Sequence, residues 1–428
     1  MNAFIIDLTH GGVKIAIELS KLNSKNNFNL YENIYAYDLY NTLKDEDENL
    51  LKVYNISILK DFDDLKDKIL NSANVENNTK NIIINPVHSS LDLKNILNEN
   101  NINDSFKLIS HHEAVKLILE NWKNECEKQD VKTIEITGVK GKTTTSYLLK
   151  DVFEANEEDI LLLSSLGAHL FRELGTTKKF RDLILQKNIS ITPASILSTV
   201  ELAKKIANPK CSYQKCGCKP FEDLKEEAIE IEKYENNPYS NLNYNISIFE
   251  SSLGISGLGD IGILTNIVEN YPIAKGKSNA KEAKKQVFNS KLVVIDHDTL
   301  DEFYKDEKEL YSNKINTFSL NNNKSNVFIE NANYDINETK FTAFYNNLKT
   351  IDNNLISGKI DIKTFAPGKH HVANVLAAIT TALSFNISEE TIKEGLENFK
   401  GIPGRSSRKT IENSQIIEEI NPGINTKA

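Results

Sequence analysis

The chain has 428 residues, 39% hydrophobic and 26% charged, with 51 basic against 60 acidic side chains for a net charge of −9. That length exceeds a single hydrophobic core and predicts two or three domains, while the acidic balance argues against a general nucleic-acid or anionic-membrane partner, either of which needs a basic face. No apolar run is long enough for a membrane span, and the opening MNAFIIDLTHGG lacks the basic segment of a signal peptide, so a cytoplasmic location is expected.

Residues 1–130 read as a small α/β domain. A strand at 4–8 leads to Gly11-Gly12, which open a helix carrying Val13, Ile15, Ile17 and Leu19. Further strands are expected at 33–39 and 81–86, and helices at 62–70 and 91–97. Two histidine-bearing stretches stand out: Pro86-Val87-His88 at a strand end and Ser110-His111-His112-Glu113 at a helix entry. Ser110 with Glu113 three residues on reads as a capping box, which explains both without a ligand. The paired imidazoles are candidates for contact with a substrate carboxylate or a substrate-held metal.

Residues 133–153, TIEITGVKGKTTTSYLLKDVF, are the strongest signal in the chain. Alternating β-branched residues make a strand, and Tyr147, Leu148, Leu149 and Phe153 fall at helical spacing. Between them the turn Gly138-Val139-Lys140-Gly141-Lys142-Thr143-Thr144 aims backbone amides and a positive helix end at one spot, a phosphate site. Lys142 is expected to reach the outer phosphates of ATP or GTP, and the Thr143 hydroxyl to hold Mg²⁺. The loop is shorter than the general G-x-x-x-x-G-K-[ST] form.

A strand at 161–163 and a turn at 164–167 follow, then NISITPAS at 188–195. Residues 205–240 form an insertion in which Cys211, Cys216 and Cys218 hold three of the chain's four cysteines ahead of an acidic helical run. C-x₄-C-x-C leaves a zinc or iron–sulfur site one ligand short, so incidental thiols compete with a metal site. NISIFESSLG at 245–254 is an apolar strand ending in Glu250, an acid that burial would make costly without a partner. IGILTN at 261–266 is another strand, and 276–288, GKSNAKEAKKQVF, reads as a helix with Lys281, Lys284 and Lys285. Strands at 292–296 and 315–320 precede a meander over 326–362. The chain continues with FAPGKHHVANVLAAITTA at 365–382, a helix at 386–399, the turn Gly401-Ile402-Pro403-Gly404-Arg405 and EEINPGIN at 418–425.

Taken in order, these elements resemble the Mur ligase family, ATP-dependent ligases that activate a carboxylate as an acyl phosphate. The short loop matches, as do Thr192-Pro193, Glu250 with Ser251, Leu264-Thr265-Asn266, and Gly368, His370 and Asn374 of the late helix. What the resemblance implies is an α/β protein with an N-terminal Rossmann-like domain over 1–130. A P-loop ATPase domain with a mostly parallel sheet would follow over 131–404, and 405–428 would begin a third Rossmann-like domain, missing or truncated here. It also implies a nucleotide site of Gly138, Lys140, Gly141, Lys142, Thr143, Thr144, Asn266, His370, Asn374 and Arg405. Catalysis would fall to Lys142, Glu250 and Lys284, with Thr143, Glu250 and Lys284 as Mg²⁺ ligands, Lys284 being carbamoylated. Two departures are evident. Asn270-Tyr271 stands where the family has Asp-His, which bears on a second metal, and His371 replaces an Asn.

His111-His112-Glu113, Phe249-Glu250-Ser251-Ser252 and Glu419-Ile420-Asn421-Pro422-Gly423 look most like the methanogen branch of the family that works on a nickel tetrapyrrole. The expected reaction is ATP-dependent ring closure on that macrocycle, giving ADP and phosphate. An amide-forming ligase is the runner-up, and a non-catalytic nucleotide-binding homologue is the reading from outside enzymology. A partner or further segment is expected to complete the third domain.

Overall fold

Short runs of continuous apolar residues organise the chain, as in parallel sheets covered on both faces. The computed structural model describes residues 1–25, 30–73, 80–173, 180–206, 242–335, 337–403, 405–411 and 414–419. The cysteine stretch 211–218, the acidic run after it, Gly404 and residues 420–425 lie outside the described residues.

Two compact units are present. One comprises Met1–Lys123 with Thr192–Ser198 and Tyr271–Ala283, the other Asn124–Ile191, Thr199–Asn270 and Lys284–Ala428. In the first, β1 (Asn2–Ile6), β2 (Asn33–Tyr37), β3 (Ser57–Leu59), β4 (Asn81–Ile84) and β5 (Phe106–Ile109) form an all-parallel sheet in the order β3-β2-β1-β4-β5. The strand order reverses between β1 and β4, and such a reversal opens a crevice at the carboxyl ends of the two strands. Phe4, Ile6, Leu65, Ile83, Leu93 and Phe106 pack the core beneath. Helices Phe62–Asn71 and Leu93–Glu99 start on aspartate caps, Asp61 and Asp92 accepting from Asp64 N and Asn95 N.

The second unit is built on an 11-stranded sheet. Its strands are β6 (Lys132–Thr137), β7 (Ile160–Ser164), β8 (Gly167–Glu173), β9 (Phe180–Gln186), β10 (Ile246–Glu250) and β11 (Ile261–Leu264). The first unit's small hairpin of β12 (Pro272–Ile273) and β13 (Ser278–Asn279) intervenes in sequence. The sheet then adds β14 (Leu292–Asp296), β15 (Ile315–Ser319), β16 (Val327–Tyr334), β17 (Thr339–Lys349) and β18 (Leu355–Thr364). The order is β18-β17-β16-β15-β14-β11-β6-β10-β7-β8-β9, parallel from β16 through to β7 and antiparallel at both margins. The sheet is therefore mostly parallel, and the expected meander supplies one antiparallel margin.

Helix Lys142–Ala155 covers the middle of the sheet, with Leu148, Leu149, Val152 and Phe153 fully buried beside helices Lys369–Ser384 and Glu389–Asn398. A side chain such as Phe153 contributes about 1.5–3 kcal/mol by that burial. Strand β6 departs from the simple alternating pattern, because its polar face is also buried. The Glu135 carboxylate accepts from Ser256 N, Ser256 Oγ, Gly257 N and Gly259 N, at 2.6–3.0 Å. A buried acid of β6 thus anchors the loop ahead of β11.

Residues 276–288, expected as one helix, are broken. A 3₁₀ turn at Ala274–Gly276, helix Ala280–Lys284 and a second 3₁₀ turn at Lys285–Asn289 share the stretch. Left-handed φ values at Lys275 and Gly276, followed by the extended residues Ser278–Asn279 of β13, delay the helix to Ala280.

Candidate active site

Strands β6, β7, β10 and β11 run parallel, so their carboxyl ends deliver side chains to one place. The loop after β6 leads into helix Lys142–Ala155 through Gly141, which takes a left-handed φ of 84°. A Cβ at Gly141 would overlap Asn374 Oδ1, and one at Gly138, with φ 150°, would overlap Thr265 Oγ1. Both positions need glycine on two counts, conformation and space. The helix start has no side-chain cap and no acid in its first turn. Uncapped amides and an unopposed positive helix end suit a phosphate.

The β11 end holds the loop in shape. Asn266 Oδ1 accepts from Lys140 N at 3.1 Å, while Asn266 Nδ2 and Thr265 Oγ1 donate to Lys140 O at 3.2 and 2.6 Å. Asn266, expected as a nucleotide contact, thus spends its amide on the loop backbone. Lys142 Nζ donates to Gly138 O at 3.1 Å. Burial lowers its amine below the ordinary value, Glu250 opposing the shift and Arg405 adding to it.

Glu250 is buried at the end of β10. Both its oxygens lie 3.0 Å from Thr143 Oγ1, and Ser165 N donates to Oε2 at 3.0 Å. Ser165 Oγ in turn sits 3.0 Å from Thr143 Oγ1 and accepts from Arg405 Nη2 at 2.9 Å. Ser165 escaped the sequence reading, which treated it as part of a turn. Its only signal there was a hydroxyl at the end of the strand that follows the P-loop helix. Arg405 Nε and Ser251 Oγ are buried without a hydrogen-bond partner, so polar capacity remains in this unit.

Lys284 is fully buried. Its Nζ donates to Ser252 O at 2.6 Å and lies 3.5 Å from Thr137 Oγ1. Burial, then the Lys142 charge, pushes this amine down to about 7. Lys285 is exposed and pairs with Glu307, and Lys281 is half-buried. Of the three candidate lysines, Lys284 is therefore the one turned into the protein.

His370, His371 and Asn374 line the same pocket as Lys140, Thr144 and Arg405. His370 is exposed, whereas His371 is buried with Nε2 3.4 Å from Ser406 Oγ. The ten expected nucleotide residues and Lys284 thus all belong to one unit, around the strand ends. Tyr271, where the family has its His, belongs to the other unit, its carbonyl accepting from Ala280 N.

Elsewhere the histidine pair resolves without a ligand at His111. The Ser110–Glu113 capping box is formed. His111 is buried, with Nε2 2.8 Å from Ile6 O, and burial takes its imidazole down to about 4. Among the described residues no helix is long and apolar enough to cross a membrane.

No family model matches the chain. Curated relatives do. The coenzyme F(430) synthetase of Methanosarcina acetivorans is 26% identical over 98% of this chain and 76% of its own length. Its namesake from Methanocaldococcus jannaschii is 25% identical over 99% of this chain and 78% of its own. A UDP-N-acetylmuramoyl-L-alanyl-D-glutamate--2,6-diaminopimelate ligase of Clostridium acetobutylicum is 26% identical over 64% of this chain and 47% of its own length. With coenzyme F(430) synthetases alike along nearly all of it, and the short P-loop set against a buried strand-end glutamate, the chain is an ATP-dependent ligase similar to the Mur ligases.

Proposed function

We propose that the protein uses ATP to activate a propionate side chain of a nickel tetrapyrrole and closes a carbocyclic ring on it, yielding ADP and phosphate. The observation that carries the nucleotide half is the uncapped helix start beside Lys142, facing the Thr143–Glu250–Ser165 cluster. The tetrapyrrole half rests on the similarity to coenzyme F(430) synthetases over 98–99% of the chain.

The donor set fits Mg²⁺, a hard cation that takes carboxylate and hydroxyl oxygens, with Glu250 and Thr143 as its holders. Bound there, Mg²⁺ would neutralise charge on the β- and γ-phosphates. Loop amides from Gly138 to Thr144 hold the phosphates, and Lys142 balances the charge that grows as the γ-phosphoryl group leaves ADP. Arg405, fixed on Ser165, adds a second cation at the same pocket. The substrate carboxylate oxygen attacks phosphorus, and a ring carbon, losing its proton, then attacks the acyl carbon. Phosphate departs with the former carboxylate oxygen. Positioning of the two reacting carbons supplies most of the second step.

Lys284 enters through its free amine. An amine lowered to about 7 is substantially unprotonated near neutral pH, and only that form adds to CO₂. The resulting carbamate replaces a buried cation with a ligand resembling a carboxylate, the third metal-holding residue of this reading.

The test incubates the chain with ATP, Mg²⁺ and the nickel seco-precursor, following products by mass spectrometry. Loss of one water from the macrocycle with one ADP formed is expected. Incorporation of an added amino acid would instead favour amide ligation, the reading supported by the diaminopimelate ligase relative. ATP hydrolysis indifferent to any carboxylate would overturn both.

A further inference from the structure

The first unit has a cluster of its own, in a part of the chain that holds no P-loop residue. Asp7 follows β1 and His88 follows β4, so both stand at the carboxyl ends of the two strands where the sheet order reverses. His10 lies in the turn just after Asp7. Asp7 Oδ2 is 2.7 Å from His10 Nδ1 and 2.7 Å from His88 Nε2, and the two nitrogens are 3.2 Å apart.

As hydrogen bonds, both imidazole N–H groups converge on Oδ2, which leaves the two ring nitrogens 3.2 Å apart with no bond between them. A cation at the centre would instead engage all three atoms at once. Two ligand atoms at right angles around an ion, each about 2.1 Å from it, lie about 3.0 Å apart, and the three observed separations bracket that value. Asp7 is also held for a purpose. Its φ of 68° is a left-handed conformation uncommon outside glycine, and its second oxygen accepts from Thr9 N at 2.9 Å. Oδ2 is thereby turned to the imidazoles. Asp7 is buried, but the His10 side chain is 47% exposed, so the open side of the cluster meets solvent.

The geometry points to a binding site for a free first-row divalent transition metal ion at Asp7, His10 and His88, on a two-histidine, one-carboxylate face with open positions toward solvent. A metal already inside a macrocycle offers the protein one axial position per face, so three ligands on one face call for an ion and not a tetrapyrrole. The site stands whether or not the ATP reading does.

The test strips the full chain of metal and titrates Co²⁺ in excess Mg²⁺, reading visible absorption and equilibrium dialysis. One saturable equivalent with Co²⁺ d–d bands is expected. Asp7→Asn, His10→Ala and His88→Ala should each weaken it at least about tenfold. His10→Ala is the decisive variant, since an exposed side chain is removable without unfolding, as circular dichroism will show. A joint change of Cys211, Cys216 and Cys218 to Ser should leave the site intact. Absence of saturable binding, an unchanged affinity in His10→Ala, or loss of the ion with the cysteines would each overturn the assignment.

Discussion

Lys142 is held by its own loop and not by the core, its Nζ resting on Gly138 O at 3.1 Å. Truncation should therefore spare the fold and remove the charge. Lys142→Ala is expected to cut carboxylate-dependent ATP turnover by about 10²–10³-fold with an unchanged circular dichroism spectrum; turnover near wild type would remove Lys142 from the phosphate site. Glu250 acts through a metal in this reading, so Glu250→Gln should barely alter Mg²⁺-free nucleotide binding. The Mg²⁺ concentration for half-maximal turnover should rise by about tenfold or more, and an unaltered Mg²⁺ profile would sink the assignment. For Lys284 the readout is chemical rescue. Lys284→Ala should be inactive and regain turnover with short carboxylic acids that replace the carbamate. Rescue confined to a Lys281 or Lys285 variant would show the wrong lysine had been chosen.

Between residue and molecule, the P-loop is an element whose shape depends on two neighbours. Gly141 keeps its left-handed turn and stands against Asn374, so Gly141→Ala meets both strain and overlap. The two costs are separable. Asn374→Ala in the same chain should relieve the overlap and leave the strain, restoring part of the lost thermal stability when measured against Asn374→Ala alone; a double variant that recovers nothing on that comparison would mean that φ alone governs. This loop was legible in sequence because glycine spacing, lysine, threonine and helical periodicity are all local. Glu250 was legible for a related reason, a lone acid closing an apolar strand. What escaped depended on contacts between distant segments. Ser165 becomes a hub only because β7 lies beside β10, and Asn266 becomes a clamp only because β11 lies beside β6. Glu135 sits in an alternating pattern that suggests a solvent-facing acid, yet loop amides 121–124 residues away bury it. The break within 276–288 was hidden because lysines and alanines favour a helix, while the left-handed turn at Lys275–Gly276 answers to tertiary context.

At the scale of the whole molecule, a buried amine is a cost to the folded state with a pH signature. The Lys284 amine falls from 10.5 in the free side chain to about 7 when folded. Between those values the unfolded chain binds a proton that the folded chain does not, so stability rises with pH across this window. The cost is fully present below about 7 and is gone above 10.5. Lys284→Met removes the titrating group while keeping a long apolar stem for the same space. Relative to wild type, the variant should therefore melt higher near pH 6.5, with the advantage shrinking steadily toward pH 10. Lys142, also lowered by burial, titrates in both proteins and cancels in the difference to first order. The comparison belongs in CO₂-free buffer, since a carbamate would replace the cation in wild type alone and erase part of the effect. Adding bicarbonate then becomes the second half of the experiment. It should raise the wild-type melting temperature near pH 8 and leave Lys284→Met unmoved. A difference between the two proteins that stays flat with pH would mean that Lys284 is not a buried titrating amine, and the chemistry assigned to it would fail with that.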